Sequence, residues 1–357
     1  MPHDPLTPVR FGSIDLNNRI VMAPLTRSRA DQYGVPQAIA AEYYAQRASA
    51  GLIVTEATQF SYEGMGYPRT PGLHTPEQIS AWKDVVDAVH ARGGKIAVQL
   101  WHVGRVANRV NRPISADVVA PSAVRAKGQI FTDANGMADH DMPRALETHE
   151  IASIASGFAT AAKAAVETGF DAVEVHSANG YLLHQFLSSN VNQRTDAYGG
   201  SIQNRARMPL EVVEAVVNAI GSGKVGVRVS PGHTFNDIVE TDTASLYGYY
   251  LRQLSKFDLA YLHVMRPVNN EVPEDPVTLA RSLFKGNIIA AGNYTVDEAK
   301  KLISAGGAEA VAFGRNFIAN PDLVQRIRLG ARLNEADAAT FYTPGAKGYT
   351  DYLSLAA

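Results

Sequence analysis

Short, unbroken apolar runs recur along the chain, and segments with helical spacing separate them. The runs are Arg19–Pro24, Leu52–Thr55, Ile96–Leu100, Ala172–Val175, Val225–Val229, Leu259–Val264, Asn287–Gly292 and Glu309–Gly314. Each is rich in Val, Ile, Leu and Ala, and none alternates apolar with polar, as strands covered on both faces require. Between them lie helical patterns over 38–49, from the Thr75-Pro76 cap to Gly93, from Thr148 as a cap through Ile151, Ile154, Phe158, Ala162 and Ala165, and over 205–220, 243–257, 295–305 and 321–329. Residues 8–16 read as a small hairpin turning at Gly12-Ser13. About forty-five residues after the third run (Trp101 to Ala145) carry only turn signals and scattered apolar positions, a connection long enough to be functional or to hold small structure of its own.

Eight βα units in one chain predict an α/β fold, a closed (β/α)8 TIM barrel with a short N-terminal hairpin and a long excursion after strand 3. A doubly wound open sheet is the alternative. It would carry a Gly-rich dinucleotide loop after its first strand, and Val21-Met22-Ala23-Pro24-Leu25-Thr26 is not one.

Composition narrows the function more than the fold. Net charge is −2 with no dense Lys/Arg run, which argues against nucleic acid or an anionic membrane as partner. Cysteine is absent, removing disulfides, thiolate metal sites and cysteine nucleophiles, and fitting a reducing, cytoplasmic setting. The start, MPHDPLTPVRFG, shows no signal-peptide pattern, and no apolar stretch reaches spanning length. His102, His184 and His263 lack an HExxH pattern or an acid cluster, so no metal is expected.

Chemistry on such a barrel gathers at the carboxyl ends of the strands. There His176, Asn179 and Tyr181 follow the fourth run, spaced by small residues that allow a tight turn. Two neutral hydrogen-bond donors and a weak acid suit a substrate whose oxygen gains negative charge while a neighbouring carbon takes a proton. Arg228 sits inside an apolar strand. It needs either a core acid, Glu174 or Glu56, or a delocalised acceptor such as the pyrimidine edge of a flavin. Gln99 offers donor and acceptor to a mixed ring edge. Gly292 and Gly314 end strands seven and eight, a frequent phosphate corner, with Arg315 beside it.

Taken together these residues resemble the Old Yellow Enzyme family of FMN-dependent ene-reductases, almost end to end. The most specific part is His176-Ser177-Ala178-Asn179-Gly180-Tyr181-Leu182-Leu183-His184-Gln185-Phe186-Leu187, continued by Asn192-Gln193-Arg194-Thr195-Asp196 and Tyr198-Gly199-Gly200-Ser201. The resemblance implies one FMN-binding domain over 1–357, a monomer or homodimer, that reduces activated C=C bonds of α,β-unsaturated carbonyl or nitro compounds with NADPH by a ping-pong route. It implies that Ala23, Pro24, Leu25, Thr26, Ala57, Gln99, Arg228, Gly292, Asn293, Gly314 and Arg315 hold FMN. His176 and Asn179 would grip the substrate oxygen, Tyr181 would donate the proton, and Tyr342 would wall the pocket. Many bacterial members carry His where this chain has Asn179, and the thermophilic-like subgroup has Cys where it has Thr26. A flavin-free lyase or isomerase, a non-catalytic scaffold and an FMN-dependent hydroxyacid oxidase are the competing readings.

Overall fold

The computed structural model describes residues 4–267 and 275–355. Eight parallel strands form its centre: β1 (Ile20–Met22), β2 (Leu52–Val54), β3 (Ile96–Trp101), β4 (Ala172–Ser177), β5 (Val225–Val229), β6 (Tyr261–Met265), β7 (Ile288–Ala291) and β8 (Ala310–Phe313). Each pairs with its sequence neighbours. β8 returns to β1 through Val311–Ile20, Ala312–Val21 and Phe313–Met22, so the sheet closes.

Strand alternation sorts the apolar residues into two cores. Ile20, Met22, Ile53, Val98, Val173, Val227, Leu262, Ile288 and Val311 face outward under the helices. Val21, Leu52, Val54, Ala97, Ala172, Tyr261, Ile289, Ala291, Ala310 and Ala312 face inward. The hairpin of Val9–Phe11 and Ile14–Leu16 plugs the lower end, where Phe11, Ile14 and Leu16 join the inner core. Each large apolar side chain so buried contributes about 1.5–3 kcal/mol.

Helix boundaries follow local chemistry. Thr75 caps the helix Pro76–His90 and Gln78 reaches back to it, while Trp82, Val85, Val86 and Val89 are buried on its inner side. Thr148 proves to be the first helical residue rather than the cap. Glu147 holds the cap position, and its N–H donates to the Glu150 carboxylate at 2.7 Å. The helix expected from 205 begins earlier, at Ile202, because the Ser201 hydroxyl accepts the Asn204 N–H. The excursion carries an antiparallel hairpin, Gln129–Thr132 with Gly136–Asp139, and a short parallel pair, Val119–Ala120 with Arg144–Ala145. The Pro- and Asn-containing loop after β6 runs outside the described residues. No helix among those described is long and apolar enough to cross a membrane.

Candidate active site

β4 supplies the centre of the site. Its inward positions are Ala172, Glu174 and His176. The register sets Glu174 beside Gln99 of β3 and His176 beside Arg228 of β5. The strand then stops sharply: Asn179 and Gly180 both adopt left-handed backbone, with φ of 56° and 77°. A Cβ on residue 180 would lie 2.6 Å from the Phe235 carbonyl oxygen, so only glycine fits. The Asn179 N–H donates to Ser230 Oγ at 2.8 Å, and its carbonyl accepts from Asn236 Nδ2 at 2.8 Å. The Gly180 N–H donates to His184 Nδ1 at 3.0 Å, which leaves Nε2 to donate to Glu240 at 2.7 Å. His184 therefore buttresses the turn through both ring nitrogens.

That turn presents three side chains at one place. His176 is buried, and desolvation with the nearby Arg228 charge pushes its imidazole well below the ordinary value, so it stays neutral. Its Nδ1 and the Asn179 Oδ1 are buried with no hydrogen-bond partner among the described residues. The Tyr181 ring lies 5.1 Å from His176 and 4.7 Å from Trp101, edge-on to both. Its hydroxyl donates to that of Tyr67 at 3.3 Å. Burial, with Tyr67 beside it, pushes the Tyr181 phenol well above its usual range, so it keeps its proton at neutral pH.

One layer down, the polar residues inside the barrel are tied together. Gln99 Nε2 donates to Glu174 Oε1 at 2.6 Å and His263 Nδ1 donates to Oε2 at 2.9 Å, all three fully buried. The intervening β5 residue is Gly226, because the Tyr261 ring folds across the space a Cβ would take. Arg228 forms no ion pair with Glu174 or Glu56. Glu174 is taken by Gln99 and His263, and Glu56 accepts the Arg27 N–H at 3.0 Å. Arg228 Nη2 reaches only Met265 Sδ at 3.2 Å, and its Nε has no partner among the described residues.

The ends of β1, β7 and β8 complete the rim. Gly292 has φ of 118°, and Asn293 beside it is exposed with φ of 55°. The Leu25 side chain lies against Gly314. Ala23 and Pro24 are buried, Thr26 is half-buried, and Ala57 packs in a cluster with Trp101 and Tyr181. Arg315 is exposed and makes no ion pair among the described residues. Tyr342 is also exposed on the rim, close enough to act electrostatically on Tyr181 and Tyr67. The tail that carries it is clamped from below. Arg27 donates to the carbonyls of Phe341 (3.1 Å) and Gly348 (2.7 Å), and Arg29 to those of Thr340, Phe341, Gly345 and Lys347. Arg47 holds Tyr349, whose ring stacks on Tyr43 at 3.9 Å.

All the sequence-derived residues thus lie at one end of the barrel, Tyr342 and Arg315 at its edge. Trp101, Tyr67, Asn236 and the Glu174–His263 pair were not singled out. Alternation alone would have found Trp101, two residues from Gln99 on the inward face, whereas Glu174 was weighed only as a partner for Arg228. Nothing local marks Tyr67 or Asn236. The donor set fits FMN. A buried, unpaired guanidinium nitrogen and a carboxamide suit a ring edge that gains negative charge, and glycine backbone with a free cation suits a phosphate.

Residues 6–334 match the model of the NADH:flavin oxidoreductase / NADH oxidase family. The 12-oxophytodienoate reductase 1 of Oryza sativa subsp. japonica is 45% identical over 357 residues, covering 97% of this chain and 92% of that protein. The flavin oxidoreductase hxnT of Emericella nidulans is 42% identical, covering 98% of each. Among solved structures, morphinone reductase in complex with tetrahydroNAD superposes with a TM-score of 0.95 at 46% identity over 99% of this chain and 98% of that one. The Old Yellow Enzyme homologue from Zymomonas mobilis gives 0.95 at 39%, over 98% and 99%. With barrel, donor set and likeness in agreement over nearly the whole length, the chain belongs to this FMN-dependent family, that of Old Yellow Enzyme, and is an NAD(P)H-dependent flavin oxidoreductase.

Proposed function

We propose that the protein reduces the C=C bond of α,β-unsaturated carbonyl or nitro compounds, taking its electrons from NADPH in a ping-pong cycle. The observation that carries this reading is the convergence of a neutral His176, the Asn179 carboxamide and a protonated Tyr181 at one point, with His176 Nδ1 unpartnered among the described residues. When bound, FMN supplies hydride transfer, received from the nicotinamide and passed on to the alkene carbon. Gln99 and Arg228 would hold its pyrimidine edge. Ala23, Pro24, Leu25, Thr26 and Ala57 would border the ring, and Gly292, Asn293, Gly314 and Arg315 would hold the phosphate.

His176 and Asn179 hold the substrate oxygen and stabilise the negative charge it gains as the neighbouring C=C accepts hydride. The Tyr181 hydroxyl gives its proton to the carbon next to the polarised group, and solvent restores the phenol. Tyr67 and Trp101 fix the phenol ring, and Tyr342 borders the entrance. Relatives named as reductases of 12-oxophytodienoate and morphinone support a carbonyl as the gripped group. The reading carries with it one FMN-binding domain over 1–357, working in the cytoplasm as monomer or homodimer, and the cysteine-free sequence fits that compartment.

Purified protein should be yellow, bleach on anaerobic addition of NADPH, and recover its colour on addition of 2-cyclohexenone, with parallel double-reciprocal lines in steady state. Colourless, folded protein that takes up no FMN would end the proposal.

A further inference from the structure

We infer that Glu174 is a positioning residue for the flavin: it fixes which end of the Gln99 amide faces the ring and sets the charge beneath the pyrimidine edge. The inference rests on the proposed placement of that edge over Gln99 and Arg228. Glu174 is cut off from solvent. Both its oxygens are spent, one on Gln99 Nε2 at 2.6 Å and one on His263 Nδ1 at 2.9 Å. With one Nε2 hydrogen held by Glu174, the Gln99 amide is fixed in one orientation, which leaves its carbonyl oxygen and the second Nε2 hydrogen for a ligand.

A carboxylate with no solvent contact is costly unless paired. Burial pushes Glu174 up, but the hydrogen bonds from His263 and Gln99 and the nearby Arg228 charge act against this and hold it below the usual carboxylate value. Burial keeps His263 neutral, and Tyr261, raised well above its usual range, is neutral too. The groups facing Glu174 therefore include one cation, Arg228, which it acts on without a direct ion pair. Glu174 thus cancels part of the Arg228 field that would otherwise favour a ring made more negative by reduction. The arrangement allows a near-isosteric test. In Glu174→Gln the new carboxamide can still accept from Gln99, and His263 can move its proton to Nε2, now without a partner, so that Nδ1 accepts.

The test measures the affinity of oxidised FMN by fluorescence quenching and the midpoint potential by dye equilibration, in wild type and Glu174→Gln. The expected result is a shift in the ratio of reduced to oxidised FMN affinity of about tenfold in favour of reduced, as removing a nearby buried negative charge requires. That is about 30 mV for a two-electron couple. A folded, FMN-loaded variant with the wild-type potential overturns the inference, whereas wild-type protein that takes up no FMN overturns the flavin placement itself. If Glu174→Gln does not fold, Glu174→Asp is read instead. It keeps the charge but shortens the reach to Gln99, so oxidised FMN should bind several-fold more weakly at an unchanged reduced-to-oxidised ratio. Unchanged affinity or a shifted ratio counts against the assignment.

Discussion

Replacing Tyr181 by Phe deletes one oxygen, and the structure shows what that oxygen does for stability. It donates to Tyr67 across 3.3 Å within a mostly buried cluster that includes Trp101 and Ala57. Losing such a bond costs roughly 0.5–1.5 kcal/mol of stability, and the ring contacts with His176 and Trp101 remain. As general acid the same hydroxyl contributes on the order of 10²–10⁴ in rate, or about 2.7–5.4 kcal/mol at 1.36 kcal/mol per decade. The chemical effect therefore exceeds the packing effect and falls on one half of the cycle. Anaerobic stopped-flow, following the flavin colour, separates the halves. Bleaching by NADPH should proceed at the wild-type rate, because that step takes no proton from Tyr181. Recovery with 2-cyclohexenone should slow by the stated factor. In wild type that recovery should also hold steady as pH rises toward 10, the ordinary phenol value, because Tyr181 loses its proton only well above it. Equal slowing of both halves, or none of either, would refute the role assigned to the phenol.

Other expectations follow from the supporting residues. Gly226→Ala drives a methyl into the fully buried Tyr261 ring and should cost about 1–3 kcal/mol, read as a Tm lower by several degrees; an unchanged Tm would mean the ring can move aside. Glu240→Gln weakens the brace behind Gly180 and should cost about 1.5–3 kcal/mol near neutral pH. Burial raises the Glu240 carboxyl, but His184, the Gly232 N–H and Thr243 hold it below the ordinary 4.5. Its stabilisation is thus complete above that value and lost as pH falls through the lower folded one. The Tm difference from wild type should shrink in acid, and a gap that widens below pH 4.5 would contradict the assignment. Arg29→Met removes one donor from each of four tail carbonyls, leaving Phe341 to Arg27 and Thr340 to Thr343, and should raise proteolytic cleavage within 340–349 by about 10–100-fold, as a local loss of about 1.5–3 kcal/mol implies.

The barrel was legible because each strand is a run of β-branched and aliphatic residues between breakers, a property of neighbouring residues alone. The short helix Leu182–Leu187 was not, since six residues hold too little periodicity to separate a helix from a loop. At the site, the motif from His176 to Tyr181 was readable because one tight turn supplies all three groups. The Gln99–Glu174–His263 cluster was not, although every member was visible as a polar residue in or near a strand. What joins them is register across neighbouring strands, which no one segment encodes. For the same reason Glu174 looked like a partner for Arg228, when its geometry serves Gln99 and His263 instead. Tyr67 and Asn236 come from loops whose positions depend on the closed barrel.

Arg27 and Arg29, one residue past Thr26 and beyond, grasp carbonyls that lie more than three hundred residues later in the chain. During synthesis these guanidinium groups exist long before the acceptors they will hold. The rim that follows the first strand therefore takes its final shape only once residues 340–348 have been made and docked.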